Sequence, residues 1–260
     1  MKLVDLYKNK FYSKVIKDSQ FLIEKDERKE RLLEGYKKKL NGEEISSRWD
    51  SLPVDEKFHI STFRATSEIL YRLQSLDYCV AYINSYPSTP LWKKNFGRDE
   101  YIKYHLENYY GNIVAVFDRC LFLVNHLYDL GFDPQDTKYN LITKNKHLES
   151  TDTLKILKAI HKGLEGIRSV RNYIEHQGSL SDKKLDDISM YELIYTKGNT
   201  KGKLKNVLKV YLELQYSSYL RDKKKEIKNN NATVVAAVNS LFNSLQQKYS
   251  DGMNKNGSSL

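Results

Sequence analysis

The chain has 260 residues, enough for one large domain or for a domain with an extension, and its 40% apolar content is enough for a core. A formal charge of +10 and a pI near 9.2 point to phosphate-rich or acidic partners, or else to solvated lysine-rich helix faces; twenty tyrosines add rings for a partner surface. No apolar run follows a basic start and no stretch of about 18 apolar residues occurs, which argues against secretion and membrane spanning and predicts a cytoplasmic protein with no membrane contact.

Residues 1–50 are charge-dense, with Leu3, Leu6, Tyr7, Phe11, Val15, Ile16, Phe21 and Ile23 as apolar anchors. Residues 24–40, EKDERKERLLEGYKKKL, read as a charged helix held by Glu-to-Lys and Glu-to-Arg pairs, and Asn41-Gly42 breaks it. This section is expected to be a helical N-terminal extension that packs on the main body, reaches a partner or stays mobile. The main bundle, residues 51–250, should start near Pro53 with a helix to about Asn84. Pro87 and Pro90 then enforce a loop. Asp99 is placed to cap a second long helix over about 100–130. Its middle, NIVAVFDRCLFLVNHLYDL, is apolar nearly all round and should run through the core. Within it, Asp118 and Arg119 read as a paired buried charge or a dimer-seam contact, with a functional role as the lesser alternative. Cys79 and Cys120 sit in apolar helical patterns and read as reduced core thiols.

Gly131 to Pro134 end the second helix, and a polar loop follows to about 150. Ser150-Thr151-Asp152 start a third helix, about 152–177, weakened by Gly163 and Gly166, where a kink or a close crossing is expected. SDKKLDD reads as turn-rich, and Tyr191 to Thr196, YELIYT, as the one strand-like run. KGNTKGK is a basic loop whose Lys201 and Lys203 are placed to touch a phosphate backbone. Two helices, about 204–227 and 232–249 with a cap at Asn231, close the bundle, and residues 251–260 read as a disordered tail. The expected fold class is all-α, an antiparallel bundle of about four to six main helices.

The third helix carries the stretch of greatest interest, RNYIEHQG from Arg171 to Gly178. Ile160, Leu164, Ile167, Arg171 and Ile174 fall at steps of four, three, four and three, the apolar seam of a helix that packs on others. Arg171 stands where a leucine is expected, and a buried guanidinium costs several kcal/mol unless it is paired or used. Gly178 is a C-terminal cap, which leaves His176 exposed in the last turn. Asn172 and His176 share a face, and Arg168 continues it. Arg171 and His176 lie about 140° apart around the cylinder. They converge on one atom only if the arginine reaches around, the helix end unwinds, or a second copy of the helix faces the first. Looser spacings join Arg98 to His105 and Arg119 to His126, but the asparagine and the helix end favour 171–176.

Arg171, Asn172 and His176 resemble the signature of the HEPN superfamily: an arginine, usually followed by Asn, Asp or His, then a histidine after a gap of four to six residues, in an all-α bundle. The resemblance spans roughly residues 54–250. It implies a metal-independent endoribonuclease without cofactor, with a composite site at a homodimer interface. It also implies a place in toxin–antitoxin, abortive-infection or antiviral systems, with an antitoxin or other inhibitory protein as a further partner. The family often has a polar residue on an earlier helix facing the motif, for which Asp118 is a candidate without a motif to fix it. In a toxin branch a tyrosine stands two positions after the histidine and is modified by a partner nucleotidyltransferase. Gly178 stands there in this chain, so that route of control is not expected.

The residue types suit that chemistry. RNA carries its own nucleophile, the 2′-hydroxyl. Its attack needs a base, an acid for the leaving 5′-oxygen and a cation for the phosphorane. Histidine serves proton transfer near neutrality and arginine binds phosphate with a permanently charged fork. Arg168, Lys201 and Lys203 would contact the RNA. Other chemistries fit less well: the histidines form no HExxH and have no Cys partners at zinc spacing, and no Gly-rich phosphate loop or Gly-x-Ser-x-Gly elbow occurs. Two competing readings keep the bundle but not the cleavage. One is a dimerisation, RNA-binding or scaffold module in which Arg171 is a structural charge paired across the bundle, with Asp118 as the candidate partner. The other is a nucleotide-binding domain with a closed pocket in one chain.

Overall fold

The computed structural model describes residues 2–24, 30, 52–86 and 97–257, and among them all regular structure is helical. The helices are α1 (Leu3–Leu6), α2 (Lys10–Glu24), α3 (Val54–Tyr82), α4 (Arg98–Leu127), α5 (Tyr139–Thr143), α6 (Asp152–Gly163), α7 (Glu165–Gln177), α8 (Lys183–Lys197) and α9 (Gly202–Gly257). The expected all-α class therefore holds. Most of the charged run at 24–40, and the segment holding Pro87 and Pro90, lie outside the described residues. The chain forms two compact units: Met1–Tyr71, Phe117–His161 and Val235–Leu260 make the first, and Arg72–Val116 and Lys162–Val234 the second.

In the first unit, Leu6, Phe11 and Val15 are buried with Ile69, Phe117, Leu121, Val124, Leu157, Val238, Phe242 and Tyr249. Phe11 meets the rings of Phe242 and Tyr249 at centroid distances of 5.1 and 5.8 Å. Asn9 caps the start of α2 by accepting from the Phe11 N–H (2.9 Å), and its amide donates to Asn239 and Asn243, each at 2.8 Å. Of the three outcomes open for the N-terminal section, packing thus applies to its described first helices. His59 is buried between the Ser19 hydroxyl (2.8 Å) and the Tyr249 hydroxyl, and His126 Nε2 lies 3.0 Å from both the Phe58 carbonyl and the Thr62 hydroxyl. Burial keeps the pKa of His126 below its ordinary value, against the opposing pull of the Phe58 carbonyl and Asp129.

Residues 251–257, expected as disordered tail, continue α9. SDGMNKNG holds breakers, but Gly252 permits a close approach: a Cβ there would lie 2.4 Å from Phe58 Cζ.

The second unit buries Leu73, Leu76 and Cys79 of α3 and Ile83 just after it, Ile102, Leu106, Tyr109 and Ile113 of α4, Leu185 and Ile188 of α8, and Leu212, Tyr216, Tyr219 and Ile227 of α9. Three expectations fail here. YELIYT is not a strand but the second half of α8. SDKKLDD supplies that helix's cap and first turn, with Asp182 accepting from the Leu185 N–H at 3.3 Å. The β-leaning residues yield to a helical register in which Leu185 and Ile188 are buried and Glu192 accepts from the Tyr216 hydroxyl. Finally, α9 is unbroken at Asn231, which is not a cap. It lies 8% exposed inside the helix, and its amide donates to Asp77 Oδ1 at 3.2 Å. That bond between helices offsets a helix-propensity cost of under about 0.7 kcal/mol. The loop before α9 is correspondingly short, Gly198 to Lys201.

Candidate functional site

The third helix predicted over 152–177 is two helices. They part at Leu164, whose backbone leaves the helical region (φ −95°, ψ 3°) between Gly163 and Gly166, where a kink was expected. The seam therefore does not run on unchanged. Ile160 and Leu164 are buried, but Ile167, Val170, Arg171 and Ile174 are only half-buried, and Tyr173 is 49% exposed. No residue of α7 is buried in its own chain. Arg171 is accordingly not an interior charge, and its side chain is 36% exposed.

What holds Arg171 is local. One guanidinium nitrogen pairs with Glu175 Oε1 at 2.7 Å, and another donates to Asn172 Oδ1 at 3.2 Å. Glu175 is 52% exposed, so the pair contributes a few tenths of a kcal/mol and serves chiefly to aim the fork. It is the site neighbour that the sequence reading passed over, and its signal was the four-residue Arg-to-Glu spacing on a helix.

The helix ends as expected. Gly178 adopts φ +81°, and its N–H donates to the Ile174 carbonyl at 2.7 Å. His176 is exposed in an intact last turn, so unwinding does not bring it towards Arg171, whose fork is turned to Glu175. Beyond Gly178 the chain is pinned twice. The Leu180 N–H donates to Glu107 Oε1 at 2.7 Å. Asp182 accepts from the Tyr219 hydroxyl (3.0 Å) and pairs with Lys223 Nζ (3.1 Å). Burial alone would raise the pKa of Asp182; the Lys223 charge and the bonds from Lys223, Tyr219 and Leu185 outweigh it and leave the carboxyl below its ordinary value.

Arg171, Asn172, Glu175 and His176 thus come from one helix. Arg168 is half-buried on the same helix and has a partner of its own. Lys201 and Lys203 are exposed elsewhere, on the link before α9 and in its first turn. Asp118 and Arg119 are not a buried pair: Asp118 is exposed, and Arg119 bridges to Glu68 at 3.1 Å with both side chains partly in solvent. The looser Arg98–His105 spacing also dissolves. Arg98 lies over the Tyr216 ring at 4.5 Å, while His105 packs against Tyr82 and Tyr101, and burial lowers its pKa. Both cysteines are buried and free. Desolvation pushes the Cys79 thiol up to about 12 and raises Cys120 as well, the opposite of what a nucleophile needs. Among the described residues no group of three His, Cys, Asp or Glu side chains is placed to hold a metal ion, and no helix is long and apolar enough to cross a membrane.

A family model described as Cthe2314-like HEPN matches residues 66–246, which include all of α7 and the Arg171–His176 stretch. Neither a curated protein nor a solved structure gives a significant match.

Proposed function

The chain belongs to the HEPN family, and from that premise we propose that it is a metal-independent endoribonuclease whose site is completed by a second copy of the chain. One observation carries the reading: Arg171, Asn172 and His176 stand at the surface of a helix that buries none of its residues in its own chain. Apolar side chains left half-covered beside polar ones are what an interface between copies uses.

In this reading the RNA 2′-oxygen attacks the adjacent phosphorus while the bond to the 5′-oxygen breaks, leaving a 2′,3′-cyclic phosphate and a 5′-hydroxyl. The 2′-hydroxyl proton passes to one imidazole and the leaving oxygen takes a proton from another. Each chain supplies a single His176, so twofold pairing provides both. The Arg171 fork turns from Glu175 to the phosphorane oxygens, and Asn172 holds the fork or the phosphate. Arg168, Lys201 and Lys203 are proposed contacts to the RNA strand. The setting would be toxin–antitoxin, abortive-infection or antiviral defence, with an inhibitory protein as a further partner.

The test is RNA cleavage in EDTA by the wild type, His176→Ala and Arg171→Ala. Both variants should lose cleavage and keep the helical circular dichroism signal; persistence of cleavage in both sinks the assignment. The scaffold reading draws on the Arg171–Glu175 pair, which gives the arginine a structural partner within its own chain. It predicts no cleavage by any of the three proteins.

A further inference from the structure

The segment Arg221 to Lys228, RDKKKEIK, lies in α9 within the second unit, and its charges are sorted by sign. Both carboxylates are engaged: Asp222 pairs with Lys184 at 3.0 Å, and Glu226 pairs with Lys223 at 3.0 Å and accepts from the Tyr110 hydroxyl at 3.3 Å. Lys223 turns inward to Asp182 (3.1 Å), and Ile227 is buried. Arg221, Lys224, Lys225 and Lys228 are left on another face. Arg221 is 78% exposed and lies 3.8 Å from Asp222; among the described residues none of the three lysines has a carboxylate at ion-pair distance, though the Asp222 charge reaches Lys225.

At 100° per residue these four cations fall within about 100° of the helix circumference and along about 10 Å of its axis. With Asn229 they line one shallow depression. Ser217 and Ser218 continue the same face one turn earlier, with Ser217 exposed. Like charges so close repel one another; the two acids of the segment are at the surface but already paired, Asp222 to Lys184 and Glu226 to Lys223, and Asp222 also lies near Arg221 and Lys225. From Ser217 onward the face bears no exposed large apolar residue, whereas Val207, Val210 and Leu214 are exposed on the turns before it. Cations interleaved with hydroxyl and amide groups are the contacts that hold a sugar–phosphate backbone without reading its bases.

We propose that Arg221, Lys224, Lys225 and Lys228 form a track for the phosphate backbone of an RNA strand, apart from the residues that would cut it. The choice of RNA among polyanions rests on the ribonuclease reading; the track itself does not.

The experiment uses the full chain carrying His176→Ala, so that RNA survives, and follows fluorescence anisotropy of a labelled single-stranded RNA of mixed sequence across a salt series. It is compared with the same chain carrying Lys224→Gln, Lys225→Gln and Lys228→Gln, substitutions that keep helix propensity. Each phosphate neutralised contributes about 0.7 to the slope of log affinity against log salt for a single strand. Loss of three cations should flatten that slope by about 2 and weaken binding at low salt about tenfold or more, with the circular dichroism spectrum unchanged. Equal slope and affinity in the two proteins overturns the track. So does competition by poly-glutamate as strong as by RNA at equal charge, or lysine-dependent sedimentation with phosphatidylserine vesicles while RNA affinity is unaltered. Failure of the ribonuclease reading looks different: the wild-type chain would not cut the RNA, yet would bind it with the lysine-dependent slope.

Discussion

Asp182→Ala removes one carboxylate that serves three partners behind the motif helix. The first is the Leu185 N–H at the start of α8, and loss of such a cap costs about 1 kcal/mol. The second is the Tyr219 hydroxyl; Tyr219 is 1% exposed, and leaving a buried donor unmet costs about 1–2 kcal/mol. The third is Lys223, 18% exposed, which keeps Glu226 at 3.0 Å, so the ammonium is weakened by about 1 kcal/mol and not stranded. The three share one network and do not add fully, so the expected destabilisation is about 3 kcal/mol. Urea unfolding followed by far-ultraviolet circular dichroism measures it.

The pH dependence supplies a second arm. The carboxyl is held below its ordinary value in the fold, so its contribution is complete above the unfolded pKa of about 3.9 and is lost as the pH falls through the folded value. The gap between wild type and variant should therefore be constant near neutrality and close in acid. A difference under about 1 kcal/mol at neutral pH, or one that widens in acid, refutes the reasoning.

Gly178→Ala should cost about 1 kcal/mol from backbone strain alone, since φ is +81° and open space surrounds the position; Gly178→Asn should recover most of it, read as thermal melting. The pKa of His126 is lowered by burial, so the fold favours its neutral ring, and stability should fall as pH drops below about 6.5. His126→Gln should flatten that part of the melting profile, and an unchanged profile would count against it. Cys79 and Cys120 should resist iodoacetamide in the native protein and both react in denaturant, as mass spectrometry would show.

The long helices were legible because their apolar positions repeat over many turns and their ends carry local signals. Pro53, Thr151 and Gly178 stand directly beside helix ends in the structure, while α4 ends at Leu127, four residues before Gly131. What the sequence misplaced depended on contacts far along the chain. Asn231 looks like a cap until Asp77 is beside it. Gly252 looks like a break until Phe58 is against it. YELIYT has strand composition, and only the Asp182 cap and the packing of Leu185 and Ile188 commit it to a helix. At the candidate site, the helix end at Gly178 was readable from its local signal. The exposure of Arg171 was not, because the four-three seam assumed one helix, and the break at Leu164 ends the burial that the seam predicted.

A helix with no buried residue of its own draws little stability from the chain that contains it. Its order then follows mass action: whatever covers Ile167, Val170 and Ile174 adds RT ln(1 + [L]/Kd) to the stability of α7, and dilution takes that increment away. The last turn bearing His176 would fray and re-form with occupancy of that face. On the ribonuclease proposal, a fixed amount of this protein would then cut RNA at a rate per chain that depends on how concentrated it is.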